Sequence, residues 1–223
     1  MADLRLYLVT DRALARGRPL VDLVRQAVDG GVTIVQLREK ETSTREFVDV
    51  AKALREMLAP LGVPLVINDR LDVALAVGAD GVHLGQDDMP AAAARGLLGK
   101  DKLLGVSVST VEEARRAEAE GADYLGVSPI YATPTKTDTP SPVGLAGLAA
   151  VRAATRLPLV AIGGLHADNL SEVLANGVEG IAVVSAIMAA DDPGAAARKL
   201  RARIDGGPSH SPSPRLHRGE GRR

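Results

Sequence analysis

Short apolar runs punctuate the chain at residues 6–10, 34–37, 65–68, 81–84, 103–106, 124–127, 159–162 and 181–184. They are rich in Val, Ile and Leu and mostly lack strict alternation, the pattern of strands buried on both faces of a parallel sheet. The segments between them have helical spacing. Leu20, Leu23, Val24, Ala27 and Val28 fall on one face, as do Phe47, Val50, Ala51, Leu54 and Leu58, with charges opposite. Helical runs end at Gly30-Gly31, Gly78-Ala79-Asp80-Gly81, Gly121-Ala122-Asp123 and Asn176-Gly177, where a left-handed residue closes a helix before the next strand. Ser109 or Thr110, ahead of Glu112 and Glu113, marks an N-cap with an acidic first turn. The alternation predicts an α/β fold, a single-domain (β/α)8 TIM barrel over residues 1–205, with its active site at the C-terminal ends of the strands. An open doubly wound sheet is the runner-up, but the chain lacks the Gly-rich first turn that binds a dinucleotide. Residues 206–223 have almost no apolar positions and are expected to form a disordered tail.

Several apolar runs stop abruptly in polar residues: Ile34-Val35-Gln36-Leu37-Arg38-Glu39-Lys40, Pro64-Leu65-Val66-Ile67-Asn68-Asp69 and Gly81-Val82-His83-Leu84-Gly85-Gln86-Asp87-Asp88. In a barrel those ends converge on one face. Asp69 and Asp88 follow neighbouring strands about 4.8 Å apart, so both reach one oxygen-loving cation, with Mg2+ the natural candidate because water and phosphate oxygens complete its shell. Each Asp reads equally as an N-cap, and periodicity does not choose between Asp87 and Asp88. Gln36, Arg38 and Lys40 share one side of a strand, and the Arg fork with the Lys point charge suits a diphosphate. A solvated turn is the other reading, although Gln36 inside an apolar run needs a buried partner.

The connection 128–144 carries Pro129, Pro134, Pro140 and Pro142 and has the length of a functional lid. Its Thr133, Thr135 and Lys136 offer hydroxyls and an ammonium to an anion, though an ordinary surface loop holds the same residue types. Ile162-Gly163-Gly164 and Val183-Val184-Ser185-Ala186 close the seventh and eighth strands, where barrels frequently bind phosphate through backbone N–H groups. Ser107 ends the fifth strand, either as a ligand donor or as a turn serine. His83 reads as a satisfied core histidine and His166 as an exposed helix-start residue. No Ser-His-Asp arrangement follows from the strand order, so nucleophilic catalysis is not expected.

Composition narrows the partners. The 223 residues carry 27 Lys and Arg against 28 Asp and Glu, and the sequence pI is about 6.4, so no global field draws the protein to nucleic acid or an anionic membrane. One Phe, three Tyr and no Trp leave no stacking platform for single-stranded nucleic acid. The absence of cysteine excludes disulfides, thiolate metal sites and a Cys nucleophile. No apolar stretch approaches the roughly 20 residues of a membrane span. A strand-like run starting at Leu6 leaves no room for a signal peptide, so a cytoplasmic location is expected, with small molecules as partners. Assembly into a homo-oligomer is left open.

Together these residues resemble the thiamine-phosphate synthase family from about Leu6 to Ile204. Five ordered motifs carry the resemblance: Gln36-Leu37-Arg38-Glu39-Lys40, Asn68-Asp69, His83-Leu84-Gly85-Gln86-Asp87-Asp88, Gly105-Val106-Ser107 and Thr133-Pro134-Thr135-Lys136. Ser128 stands before Pro129 where the family usually has Gly. The resemblance implies that Gln36, Arg38, Lys40, Asn68, Ser107 and Lys136 bind hydroxymethylpyrimidine diphosphate and that Asp69 and Asp88 bind Mg2+. It implies that Thr133, Thr135, Gly164, Val184 and Ser185 bind the thiazole phosphate. Arg38, Lys40, Ser107 and Lys136 would then be the catalytic set. The thiazole tautomerase of the same fold is a rival, but it uses a histidine after the sixth strand, where this chain has Ser128-Pro129-Ile130-Tyr131. A non-catalytic phosphate-binding barrel is the other alternative.

Overall fold

The computed structural model describes residues 2–133 and 141–206. Eight strands form the barrel: β1 Leu6–Val9, β2 Ile34–Leu37, β3 Leu65–Asn68, β4 Gly81–Leu84, β5 Leu103–Val108, β6 Tyr124–Val127, β7 Leu159–Ile162 and β8 Gly180–Val183. Helices follow in turn: α1 Leu20–Asp29, α2 Thr44–Leu58, α3 Leu71–Val77, α4 Ala91–Leu98, α5 Val111–Ala119, α6 Gly144–Ala154, α7 Leu170–Leu174, the short α8 Ser185–Met188, and α9 Pro193–Asp205. Every strand pairs in parallel with its sequence neighbours and β1 closes on β8, which bears out the barrel and sets aside the open sheet. Expected and observed bounds coincide for β2, β3, β4, β6 and β7 and differ by one or two residues for the others; β5 runs on to Val108.

Strand residues divide by the two-residue period of the pleat. Leu6, Leu8, Val35, Leu37, Leu65 and Ile67 join the outer core with the helices, while Tyr7, Val9, Ile34, Val66, Tyr124, Val160 and Ala182 fill the barrel. Both sets are buried, so the runs read as continuously apolar. Helix α2 buries Phe47, Ala51, Leu54 and Leu58, and its start is capped by the Ser43 side chain, which accepts from the Glu46 N–H. For α5 the cap is Thr110, in a full capping box with Glu113.

A repeated device fixes the barrel's N-terminal rim. Gly31, Gly78, Gly121 and Gly177 all take positive φ, as the turn ahead of an even-numbered strand requires. Two residues on, Thr33, Asp80, Asp123 and Glu179 accept the N–H of Leu6, Leu65, Leu104 and Leu159 from the preceding odd-numbered strand. Arginines from other helices close the same turns: Arg55 donates to the Gly78 carbonyl, Arg95 to Gly121 and Arg201 to Gly31, and Arg152 pairs with Glu179. No helix among the described residues is long and apolar enough to cross a membrane.

Candidate active site

The C-terminal mouth of the barrel opens into a cavity of about 850 Å3. Gln36, Arg38, Lys40, Asn68, Asp69, Asp88, Ser107, Thr133, Gly164, Val184 and Ser185 all line it. Thr135 and Lys136 lie outside the described residues.

On one wall, the end of β2 delivers the cations. Arg38 is held by Asp11 from the loop after β1, its Nη1 lying 3.5 Å from the Asp11 carboxylate, while its backbone N–H donates to Thr10 Oγ1. Glu39 points away and pairs with Arg12 at 2.8 Å, so alternation along the strand end separates Arg38 and Lys40 from the intervening carboxylate. Lys40 Nζ sits 2.6 Å from Asp69 Oδ2.

Asp69 adopts a left-handed backbone, φ 61°, which Asp tolerates better than most residues. Its Oδ1 accepts from Asn68 Nδ2 at 2.7 Å. Asp88 accepts from the Gly85 N–H at 2.6 Å. Neither carboxylate caps a helix: the N-cap positions of α3 and α4 are Arg70 and Pro90, and neither helix start has a side-chain cap. Burial, together with the facing Asp69 carboxylate, pushes the Asp88 carboxyl above its ordinary value, the signature of two negative groups crowded into one volume. These two hard oxygen donors suit a divalent cation whose remaining ligands come from substrate and water. Among the described residues no group of three or more His, Cys, Asp or Glu could hold a metal ion.

The opposite wall is built from close backbone approach. A Cβ on Gly163 would sit 2.7 Å from Pro129 Cβ, and one on Gly164 would sit 2.8 Å from Tyr131 Cβ, so glycine lets the loop after β7 lie against the segment after β6. The Ser128-Pro129 bond is cis. Ile130 and Tyr131 donate to the carbonyls of Ile162 and Gly163, and Val143 and Gly144 donate back to Pro129 and Ile130, so both ends of the long connection are tied together above the cavity. Tyr131 donates to Glu172 at 2.5 Å; burial and that carboxylate push its phenol up to about 12. Val184 and Ser185 complete this wall beside Gly164.

The floor holds the residues that sequence reasoning missed. Tyr7 and Tyr124 are each 1% exposed and their hydroxyls lie 2.8 Å apart. Gln36 finds its buried partner in Tyr7, donating from Nε2 at 3.0 Å. His83 is a satisfied core histidine, placed between Tyr124 and Ser107. Asp11 was also missed, because only the fold brings it to Arg38. His166 lies at the cavity edge and its N–H donates to Asn169 Oδ1.

The sequence matches the family model described as thiamine monophosphate synthase over residues 6–187. It is 61% identical to the thiamine-phosphate synthase of Albidiferax ferrireducens over 202 residues, 91% of this chain and 92% of that protein. It is 57% identical to the thiamine-phosphate synthase of Syntrophomonas wolfei over 200 residues, 90% and 96% of the two chains. The solved structure of thiamine phosphate pyrophosphorylase from Pyrococcus furiosus superposes with a TM-score of 0.84 at 42% identity, covering 92% of this chain and 96% of that one. With the barrel, the paired carboxylates and the cationic strand end already in place, these likenesses show that the chain belongs to the thiamine monophosphate synthase family.

Proposed function

We propose that the protein is a thiamine-phosphate synthase, a transferase that joins 4-amino-2-methyl-5-(diphosphooxymethyl)pyrimidine to 4-methyl-5-(2-phosphooxyethyl)thiazole and releases pyrophosphate. One observation carries the reading: a single cavity presents Arg38, Lys40 and two facing carboxylates on one wall, and Thr133, Gly164, Val184 and Ser185 on another. That is room and chemistry for a diphosphate and a separate phosphate. The substrates are small molecules, and the reading places the enzyme in the cytoplasm.

In the reaction the bond between the pyrimidine methylene carbon and the diphosphate oxygen breaks, and the electron pair leaves with pyrophosphate. The thiazole nitrogen lone pair then forms the new C–N bond to the pyrimidinylmethyl cation. That nitrogen carries no proton, so no general base is required. Arg38 and Lys40 hold the departing charge, with Asp11 fixing the orientation of Arg38. Asn68, Gln36 and Ser107 contact the pyrimidine diphosphate. Asp69 and Asp88 would hold Mg2+, which when bound neutralises diphosphate charge. Lys136, from the long connection, adds a third cation to the departing pyrophosphate, and Thr133, Thr135, Gly164, Val184 and Ser185 take the thiazole phosphate. Alignment of the two substrates and exclusion of water supply the remaining acceleration.

A coupling assay with both substrates tests the reading. The wild-type protein is expected to form thiamine phosphate, and Arg38→Ala to lower kcat about a hundredfold or more, by analogy with removing one oxyanion-hole donor. Full turnover in the variant would remove Arg38 from the leaving-group site, and no product from a folded wild-type protein would overturn the function.

A further inference from the structure

The floor of the cavity is a continuous chain of hydrogen bonds. Gln36 Nε2 lies 3.0 Å from the Tyr7 hydroxyl, Tyr7 2.8 Å from the Tyr124 hydroxyl, Tyr124 3.1 Å from His83 Nδ1, and His83 Nε2 2.9 Å from Ser107 Oγ. Its ends, Gln36 and Ser107, are cavity-lining residues on β2 and β5; its middle crosses the barrel through β1, β6 and β4. Room for it is made by Gly105 and Gly126. A Cβ on Gly105 would fall onto the Tyr124 phenol and 2.5 Å from His83 Nδ1, and one on Gly126 would fall 3.0 Å from His83 Cε1.

The chain has a direction. Gln36 Nε2 only donates, so the Tyr7 oxygen accepts and its own proton is left for Tyr124. Burial pushes the Tyr7 phenol up to about 12 and the Tyr124 phenol well above its ordinary value, so each keeps one proton to pass on. Tyr124 then donates to His83 Nδ1. A neutral imidazole has one N–H, which must therefore sit on Nε2 and point at Ser107 Oγ. The Ser107 hydroxyl proton is left over, free to turn into the cavity.

We propose that Tyr7, Tyr124 and His83 are positioning residues: the directed chain from Gln36 fixes His83 as its Nε2–H tautomer and thereby makes Ser107 a hydrogen-bond donor toward the pyrimidine substrate. The substrate atom facing Ser107 is then an acceptor, an unprotonated ring nitrogen or a diphosphate oxygen. The oppositely directed chain would leave Ser107 offering only lone pairs, and would disfavour the same atom. This inference rests on the synthase reading for the ligand's identity, while the tautomer is a property of the protein alone.

Two measurements test it. Nitrogen-15 NMR of the ligand-free protein, with the His83 signals assigned by their loss in His83→Gln, is expected to show the Nε2–H tautomer; an Nδ1–H tautomer or an imidazolium at neutral pH overturns the proposal. Tyr124→Phe keeps the ring and cuts the chain. At a temperature where it is folded, it is expected to raise KM for the pyrimidine diphosphate about three- to tenfold, the loss of roughly one hydrogen bond, with KM for the thiazole phosphate unchanged. Equal KM values in variant and wild type, or equal changes for both substrates, would assign the tyrosine to packing and overturn the positioning role. If Tyr124→Phe does not fold, the wild-type tautomer decides alone. Correct tautomer without turnover sinks the synthase reading and leaves the chain standing; turnover with the wrong tautomer does the reverse.

Discussion

Asp69 and Asp88 show how a cavity wall is kept under tension in single residues. Asp69 holds a left-handed backbone that costs free energy in most L-residues, and its two oxygens are occupied by Lys40 and Asn68. Asp88 faces it with its carboxyl pushed up by burial and by that neighbour. A carboxyl whose value is raised on folding contributes stability below its unfolded value and loses it as pH rises through the folded one. The ionised form of Asp88 is therefore the one that costs the metal-free protein stability. Asp88→Asn, which keeps an acceptor for the Gly85 N–H, is expected to raise the melting temperature without added metal and to abolish any upward shift on adding Mg2+. Calorimetry with and without Mg2+ checks both; an undiminished Mg2+ shift would remove Asp88 from the cation site. Periodicity did not choose Asp88 over Asp87; only the family motif did, and in the structure it is Asp88 that accepts the Gly85 N–H. Gln36 was legible as a buried amide in need of a partner, but Tyr7 and Tyr124 are 117 positions apart and only barrel closure joins their hydroxyls.

At the level of elements, the eight strands were readable because nearly all their residues are buried on both faces, and several of them end in polar groups where the mouth begins. Only the ends of β1, β5 and β8 drifted, by a residue or two, because ladder bonds, not apolar content, set where a strand stops. The arginine closures of the N-terminal rim were not readable. Arg95 on α4 looks like an exposed helix residue, yet it donates to the carbonyls of Gly121, Gly99 and Lys102 and pairs with Asp123 at 2.5 Å. Asp123 in turn accepts the Leu104 N–H, so one side chain ties α4 to the starts of β5 and β6. Arg95→Ala is expected to cost about 2 kcal/mol, a fall of roughly 4–8 °C in melting temperature, with kcat unchanged because the rim lies at the far end of the barrel from the cavity. Thermal unfolding beside a rate measurement checks this; an unchanged melting temperature would make the arginine a surface ornament.

For the whole molecule, the fold divides labour between the barrel's ends. The N-terminal rim is closed by Gly turns, acidic acceptors and arginines; the C-terminal mouth carries Arg38, Lys40, Asp69, Asp88 and Ser107 on loops and strand ends that packing alone would not demand. Helix α9 ends at Asp205 with Gly206 as its C-cap, and its Pro193, Ala197, Leu200 and Ile204 are buried. A chain stopped after Gly206 is accordingly expected to keep its melting temperature and turnover, and loss of activity in a folded truncation would give the remaining segment a role. The most direct measurement is the yield of pyrophosphate and thiamine phosphate from the two substrates, with Mg2+ and with chelator. The account predicts equal amounts of both products with Mg2+ and their loss with chelator. Pyrophosphate without thiamine phosphate, or a rate indifferent to the cation, would contradict it.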